Sequence, residues 1–215
     1  MRKERAVLFD FDGTLIDTEP AILYSYGKLF ETYRSKEEFI PEYQVAVLGP
    51  SIDSMIALYF PNEDTQKLVD EYRHIQKEHM EELTTLMPHA LDLLKWLKEE
   101  GYPVSLVSSR RRDSIDNVLN FLHLNEYFEF NVGYDEVKEE KPHPEGILKA
   151  MEYYGCEKGI YIGDSPNDIL AGQNANIPTV GYVSKEEKRY AIAQCEPTYL
   201  ITDLMEVKEI LEGLD

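Results

Sequence analysis

Asp10 and Asp12 close a short apolar run and are followed at once by Gly13 and Thr14. Two carboxylates this close repel each other unless a cation lies between them. A pair of hard oxygen ligands suits Mg2+. Gly13 permits a tight turn whose N–H groups can face a phosphate oxygen. The same residues would equally make an Asx turn capping a helix, and this segment alone does not separate the two readings. A second acidic pair, Asp164 and Asp168, follows the apolar run 160–162 and Gly163. Asp164 is placed to complete a metal site, and Asp168 to hold a metal-bound water or orient a ligand. Ser165 and Pro166 also read as the N-cap and first residue of a helix. The presence of the first acidic pair is what favours the metal reading of the second.

Two further segments bring hydroxyls and positive charge. Ser108, Ser109 and Arg110 follow the apolar run 104–107. Ser108 can donate to a phosphate oxygen, although both serines could instead cap the next helix. Lys141 stands just before a proline-stiffened helix start, an end where the helix dipole favours anions. A fixed ammonium near the acids would keep Asp10 ionised and bind phosphate. The alternative is a solvated lysine in the charged run 138–141, with His143 a loop residue. Three consecutive arginines, 110–112, stand out in so acidic a chain. Arg110 is expected to take a second anionic group on a ligand, and Arg111 and Arg112 to pair with acids of the 19–86 stretch.

These residues need a scaffold that brings them together. Residues 6–11, 104–108, 129–133, 159–163 and 179–182 read as short buried strands, and 198–201 as a weaker sixth. Helical stripes separate the later ones. Leu91, Leu94 and Leu97 form one, closed by Gly101; Ile115, Val118, Leu119 and Leu122 form a second; Ile147, Leu148 and Met151 form a third, ending at Gly155. Alternation of this kind predicts an α/β fold, a parallel sheet with helices on both faces. Residues 19–86 break the rhythm. They are helical in character, with helices expected over 20–33, 51–59 and 64–83, and read as an insertion lying over the sheet end like a lid. A separate N-terminal helical domain is the weaker reading, because the first strand precedes the insert and needs the later strands as partners.

Composition narrows the setting. The 215 residues are 43% hydrophobic and 29% charged, enough for one domain or a core with a smaller insert. A net charge of -19 opposes nucleic acid and anionic membranes as partners, and any phosphorylated ligand would need local positive charge at its site. No apolar run reaches the roughly 20 residues that span a bilayer. The basic start leads into no signal-peptide-like stretch, so a cytoplasmic location is expected. Cys156 and Cys195 lie in no metal-binding pattern and are expected to be free thiols.

The four segments, in this order and spacing, resemble the haloacid dehalogenase superfamily of phosphohydrolases. Asp10 to Thr14 is similar to its first motif, Ser108 stands where the family has Thr or Ser, Lys141 matches the third motif, and Asp164 with Asp168 the fourth. The resemblance covers essentially the whole chain. It implies a three-layer, Rossmann-like parallel sheet of order 5-4-1-2-3, with residues 1–16 and 87–215 as catalytic core and 17–86 as an inserted helical cap. It implies that Asp10 attacks phosphorus to form an aspartyl-phosphate, and that Asp12 serves as general acid and then base. Mg2+ would be held by the Asp10 carboxylate, the Asp12 carbonyl and Asp164, supported by Asp168. Ser108 and Lys141 complete the catalytic set. Gly13, Thr14, Ser109, Arg110, Glu19 and Ser51 are the candidate phosphate- or substrate-binding residues. The acid at position 12 favours phosphoryl transfer over carbon–halogen cleavage, since a halide leaving group needs no proton.

Finer resemblance is to phosphoglycolate phosphatases and pyrophosphatase-like members, carried by residues 48–51, 141–145 and 163–181. Residues 17–20 lean instead towards sugar-phosphate phosphatases, and Ser108 replaces the commoner Thr. The expected partner is a small phosphorylated metabolite, and the expected state a monomer or homodimer. A phosphomutase of the same superfamily and a non-catalytic binding module on the same fold are the rival readings.

Overall fold

The first apolar run forms a strand buried along its whole length, β1 (Arg5–Phe9). Such a strand needs hydrogen-bonded neighbours on both edges and cover on both faces. The computed structural model describes residues 2–48 and 50–214. Gly49, in the 48–51 segment singled out above, lies outside the described residues. The chain forms two units, a core that runs to Ile16 and resumes at Leu86, and a helical unit, Asp17–Thr85. After β1 come β2 (Ile16–Asp17), α1 (Glu19–Tyr33), α2 (Pro41–Ala46), α3 (Ile52–Tyr59), α4 (Thr65–Leu83) and β3 (Thr85–Leu86). The core then alternates: α5 (Ala90–Glu100), β4 (Val104–Val107), α6 (Arg112–Phe121), β5 (Phe130–Val132), α7 (Glu145–Tyr154), β6 (Lys158–Gly163), α8 (Pro166–Asn174), β7 (Thr179–Tyr182), α9 (Glu186–Gln194), β8 (Tyr199–Ile201) and α10 (Glu206–Leu214).

Among the described residues the core sheet has six parallel strands in the order β5-β4-β1-β6-β7-β8, and β2 pairs separately with β3. The sheet is one strand wider than the family order 5-4-1-2-3 implies. The addition is β8, the weak sixth segment, which pairs with β7 from Val180↔Tyr199 to Tyr182↔Ile201. It covers an edge that would otherwise leave a row of unpaired N–H and C=O groups. Phe9 pairs with Leu106 on one side and Ile162 on the other, so β4, β1 and β6 end level. The chain runs outward from β1 through β4 and β5 in one direction and through β6, β7 and β8 in the other. That makes the β1/β6 boundary a topological switch point, where open α/β sheets place ligands.

Helix faces follow the 3.6-residue period. On α7 the buried stripe is Ile147, Ala150, Met151 and Tyr154, and Leu148, expected in it, is 48% exposed, one residue off that spacing. On α5 the stripe is Ala90, Leu93, Leu94 and Leu97, with Leu91 only half-buried. The helical unit has its own aromatic core, in which Phe30 meets the rings of Phe39, Tyr43, Tyr59 and Phe60 and Tyr26 meets Tyr72. Its helix α2 was not expected; at six residues behind a proline it is too short to show a period. Cys156 and Cys195 are both free thiols. Among the described residues no helix is long and apolar enough to cross a membrane.

Candidate active site

The end of β1 is fixed to β6 by one more ladder bond, as the Asp10 N–H donates to the Ile162 carbonyl at 2.8 Å. Asp10 thus leaves the sheet beside Gly163 and Asp164. Gly13 follows at φ +82°, in the left-handed region, and a Cβ there would lie 2.2 Å from Asp164 Oδ2. Glycine is required twice over, by the backbone angle and by the carboxylate pressed against it. The Thr14 hydroxyl approaches Asp164 Oδ1 at 3.5 Å. At the start of α8, Ser165 and Asp168 form a reciprocal capping box with Pro166 in the first turn. The cap and the site are therefore one structure. Asp168 accepts from the Ser165 N–H and hydroxyl through Oδ2, and turns Oδ1 to Lys141.

Lys141 joins these acids. Its Nζ donates to Asp10 Oδ1 at 2.7 Å, to Asp168 Oδ1 at 2.6 Å and to the Tyr161 hydroxyl at 3.2 Å, so all three ammonium hydrogens have acceptors. The side chain is 8% exposed, which removes the reading of a solvated lysine. Its loop is tied down by Glu145, whose Oε2 accepts the N–H groups of Lys138 and Glu139 at 2.9 and 3.2 Å. Lys149 first, and then those N–H groups, hold the Glu145 carboxyl at about 2.

Asp12 sits apart from this cluster. Arg110 grips it with two parallel bonds, Nε to Oδ2 at 3.0 Å and Nη2 to Oδ1 at 2.7 Å, and steadies itself on Ser114 Oγ at 2.9 Å. Such bidentate pairs are among the strongest side-chain contacts. Ser108 is buried and its Oγ accepts the Arg110 N–H at 3.1 Å, an arrangement that keeps its own O–H as a donor. Neither serine caps α6; the residue at that position is Arg111. Arg111 pairs with Asp113 and Asp135, and Arg112 with Asp116 and Glu136. They pair with acids, but these belong to the core and not, as expected, to the 19–86 stretch. Ser109 is half-buried after Ser108. Glu19 opens α1 and Ser51 precedes α3, both in the helical unit, where Ser51 shares a 2.8 Å hydrogen bond with Ser54.

Among the described residues, Asp10, Asp164 and Asp168 place ligand oxygens within 4.8 Å of one another, all three buried. Burial pushes the Asp10 carboxyl up; Lys141 opposes this, Asp168 and Asp164 push it up again, and the net position is well above the usual carboxylate range. Asp164 is raised in the same way, by burial first, with Lys188 opposing and Asp168 adding. Burial alone would lower the Lys141 ammonium, but Asp10 and Asp168 outweigh it and hold its proton firmly. Three buried carboxylates, Asp10 and Asp164 among them with raised proton affinity, form an oxygen-only donor set. That composition fits a hard divalent cation such as Mg2+.

Two members of the site escaped the sequence. Tyr161 carried a faint signal, a hydroxyl inside a run that reads as buried strand, where a tyrosine usually finds a partner. It donates to the Val107 carbonyl at 2.7 Å and accepts from Lys141. Tyr161→Phe is expected to lower unfolding free energy by about 1–3 kcal/mol, the cost of an unsatisfied buried carbonyl, read by urea titration. Lys188, whose Nζ contacts Asp164 Oδ2, gave no signal within the charged run 185–189.

The family model of haloacid dehalogenase-like hydrolases matches residues 7–182. The pyrophosphatase PpaX of Bacillus cereus is 28% identical over 219 residues, which cover 99% of each chain. A haloacid dehalogenase-like family hydrolase of Streptococcus pneumoniae superposes with a TM-score of 0.79 at 23% identity, over 96% of this chain and 97% of that one. A protein described as a predicted phosphoglycolate phosphatase, from Haemophilus somnus, superposes with a TM-score of 0.83 at 20% identity, over 97% and 99%. The two solved structures speak for the shared fold.

Proposed function

The chain belongs to the haloacid dehalogenase-like hydrolases, and from that premise we propose that it is a divalent-metal-dependent phosphatase of small phosphorylated metabolites with Asp10 as nucleophile. The observation that carries this reading is the convergence of Asp10, Asp164 and Asp168 on one point at the sheet end, with Lys141 bridging Asp10 and Asp168. The Asp10 carboxylate, the Asp12 carbonyl and Asp164 would hold the cation, with Asp168 supporting it from the start of α8. When bound, it supplies the charge neutralisation that lets a carboxylate approach a phosphate dianion.

The protein's own groups do the rest. A carboxylate oxygen of Asp10 forms a bond to phosphorus as the bond from phosphorus to the leaving oxygen breaks. Asp12 gives that oxygen its proton. Water then attacks the phosphorus of the aspartyl-phosphate and passes a proton back to Asp12. Inorganic phosphate leaves and the Asp10 carboxylate returns. Lys141 opposes protonation of Asp10, and Ser108 donates to a phosphoryl oxygen.

The Arg110–Asp12 pair bears on the substrate. The Arg110 guanidinium occupies both Asp12 oxygens, so in this arrangement neither is placed to give a proton to a leaving oxygen. A second anionic group on the substrate competes for Arg110 and frees Asp12. This favours doubly anionic substrates, such as phosphoglycolate or pyrophosphate, over hexose phosphates. A screen of these compounds with Mg2+ tests it, read by phosphate release. Doubly anionic substrates are expected to lead, and Arg110→Ala to raise their KM about tenfold. An unchanged KM for every one of them removes Arg110 from substrate binding. Isomerised sugar phosphate without free phosphate would mark a mutase, and no turnover of any phosphate compound would sink the reading.

A further inference from the structure

Lys188 lies 24 residues beyond Asp164, yet its Nζ contacts Asp164 Oδ2. It occupies the first turn of α9 (Glu186–Gln194), where the helix dipole disfavours a cation. Its place is therefore not explained by the helix it belongs to. The Asp164 side chain is 5% exposed and that of Lys188 is 30% exposed. Asp164 is boxed in: Gly13 is pressed against Oδ2, and the Thr14 hydroxyl stands at Oδ1. Of the two partners, only the lysine sits on a long, partly solvated stem that can swing away.

Charge sharpens the point. Three buried carboxylates, Asp10, Asp164 and Asp168, face two ammonium groups, Lys141 and Lys188. Lys141 is fixed by three acceptors inside the core, whereas Lys188 reaches the cluster only from its rim. A divalent ion drawn to Asp164 meets the Lys188 ammonium at the same carboxylate, and like charges at that spacing repel strongly.

We infer that Lys188 is a positioning residue which competes with the divalent cation for Asp164, balancing the acid cluster in the metal-free protein and swinging out when the cation binds. The inference rests on the metal reading given above and adds to it the residue that sets metal affinity. The lysine offsets the Asp164 charge when no cation is there, at the cost of weaker cation binding. Occupancy then follows the free magnesium level instead of saturating well below it.

The test is direct cation binding, measured by calorimetry with Mn2+ and Mg2+ and by the metal-induced rise in Tm. It uses the full chain, with Lys188→Met, Lys188→Gln, Lys188→Arg, Asp164→Asn and a charge control, Lys208→Met, on α10. Both neutral variants are expected to bind Mn2+ about tenfold more tightly than wild type. Their metal-free Tm should fall and their metal-induced rise should grow. Lys188→Arg and Lys208→Met should stay within about twofold of wild type, and Asp164→Asn should lose binding. If wild type binds Mn2+ and the neutral variants bind it equally or more weakly, competition is wrong while the metal site stands. If wild type binds neither cation, the metal reading fails and the inference falls with it. Two neutral variants of different polarity guard against one that does not fold.

Discussion

Asp10→Asn is expected to abolish phosphate release while leaving the fold in place. The substitution keeps the shape of the side chain and removes one negative charge. It deletes the nucleophile, so turnover should fall by about ten-thousandfold or more, the scale seen when a covalent-catalysis residue is removed. It also withdraws a carboxylate from the cation's donor set, so Mn2+ binding should weaken. Stability should change far less, because two effects oppose each other. Burial already works against the Asp10 charge, and a neutral amide relieves that cost. The same change turns one of Lys141's acceptors from a carboxylate into a neutral amide oxygen, while Asp168 and Tyr161 remain. Intact-mass spectra after acid quench should show one added phosphoryl group on wild type and none on the variant. Turnover within about a hundredfold of wild type would mean that water, not Asp10, attacks phosphorus.

The parts of the site that were legible in the sequence are those whose placement depends on one strand end each. Asp10, Ser108 and Asp164 all follow apolar runs, and parallel strands end on the same side of the sheet. Their meeting needed only the strand order, and the register of β1 with β4 and β6 then set them level. Lys141 was legible as an oddity, a cation at a helix start. What the sequence did not show are contacts that depend on where a long side chain comes to rest. Arg110 and Asp12 lie 98 residues apart, and nothing in either segment says that they form a bidentate pair. Gly13 read as a turn residue, but its second requirement, the Asp164 carboxylate against its Cα, exists only once β6 is beside β1. Tyr161 and Lys188 were hidden for opposite reasons, one in a run that read as apolar core and the other in a charged run that carried no motif. The added strand β8 was legible only as the weaker sixth segment, for a three-residue strand carries little periodicity.

Lys141→Met should be nearly as damaging as loss of the nucleophile, by a different route. Methionine nearly matches the lysine stem in volume, so packing survives and the lost quantity is charge. Asp10 and Asp168 are then left facing each other in the core without their shared cation. Removing one partner from a buried, hydrogen-bonded charge cluster costs about 3–5 kcal/mol. The cheapest relief is a proton on Asp10, whose affinity for one is already raised and would lose its main opponent. A protonated carboxyl is no nucleophile, so kcat/KM near neutral pH should drop by about a thousandfold or more. The pH dependence has a definite sign. A carboxyl with a folded-state pKa above its unfolded one contributes stability at low pH and loses that contribution as pH rises through the folded value. The metal-free variant should therefore gain stability, relative to wild type, as pH is lowered from about 8 to about 5. Urea titrations across that range check this, and Mg2+ should restore part of the loss at the upper end by binding only the folded state. A variant with near-wild-type stability and activity at every pH would mean that the ammonium of Lys141 neither balances Asp10 nor keeps it ready to attack.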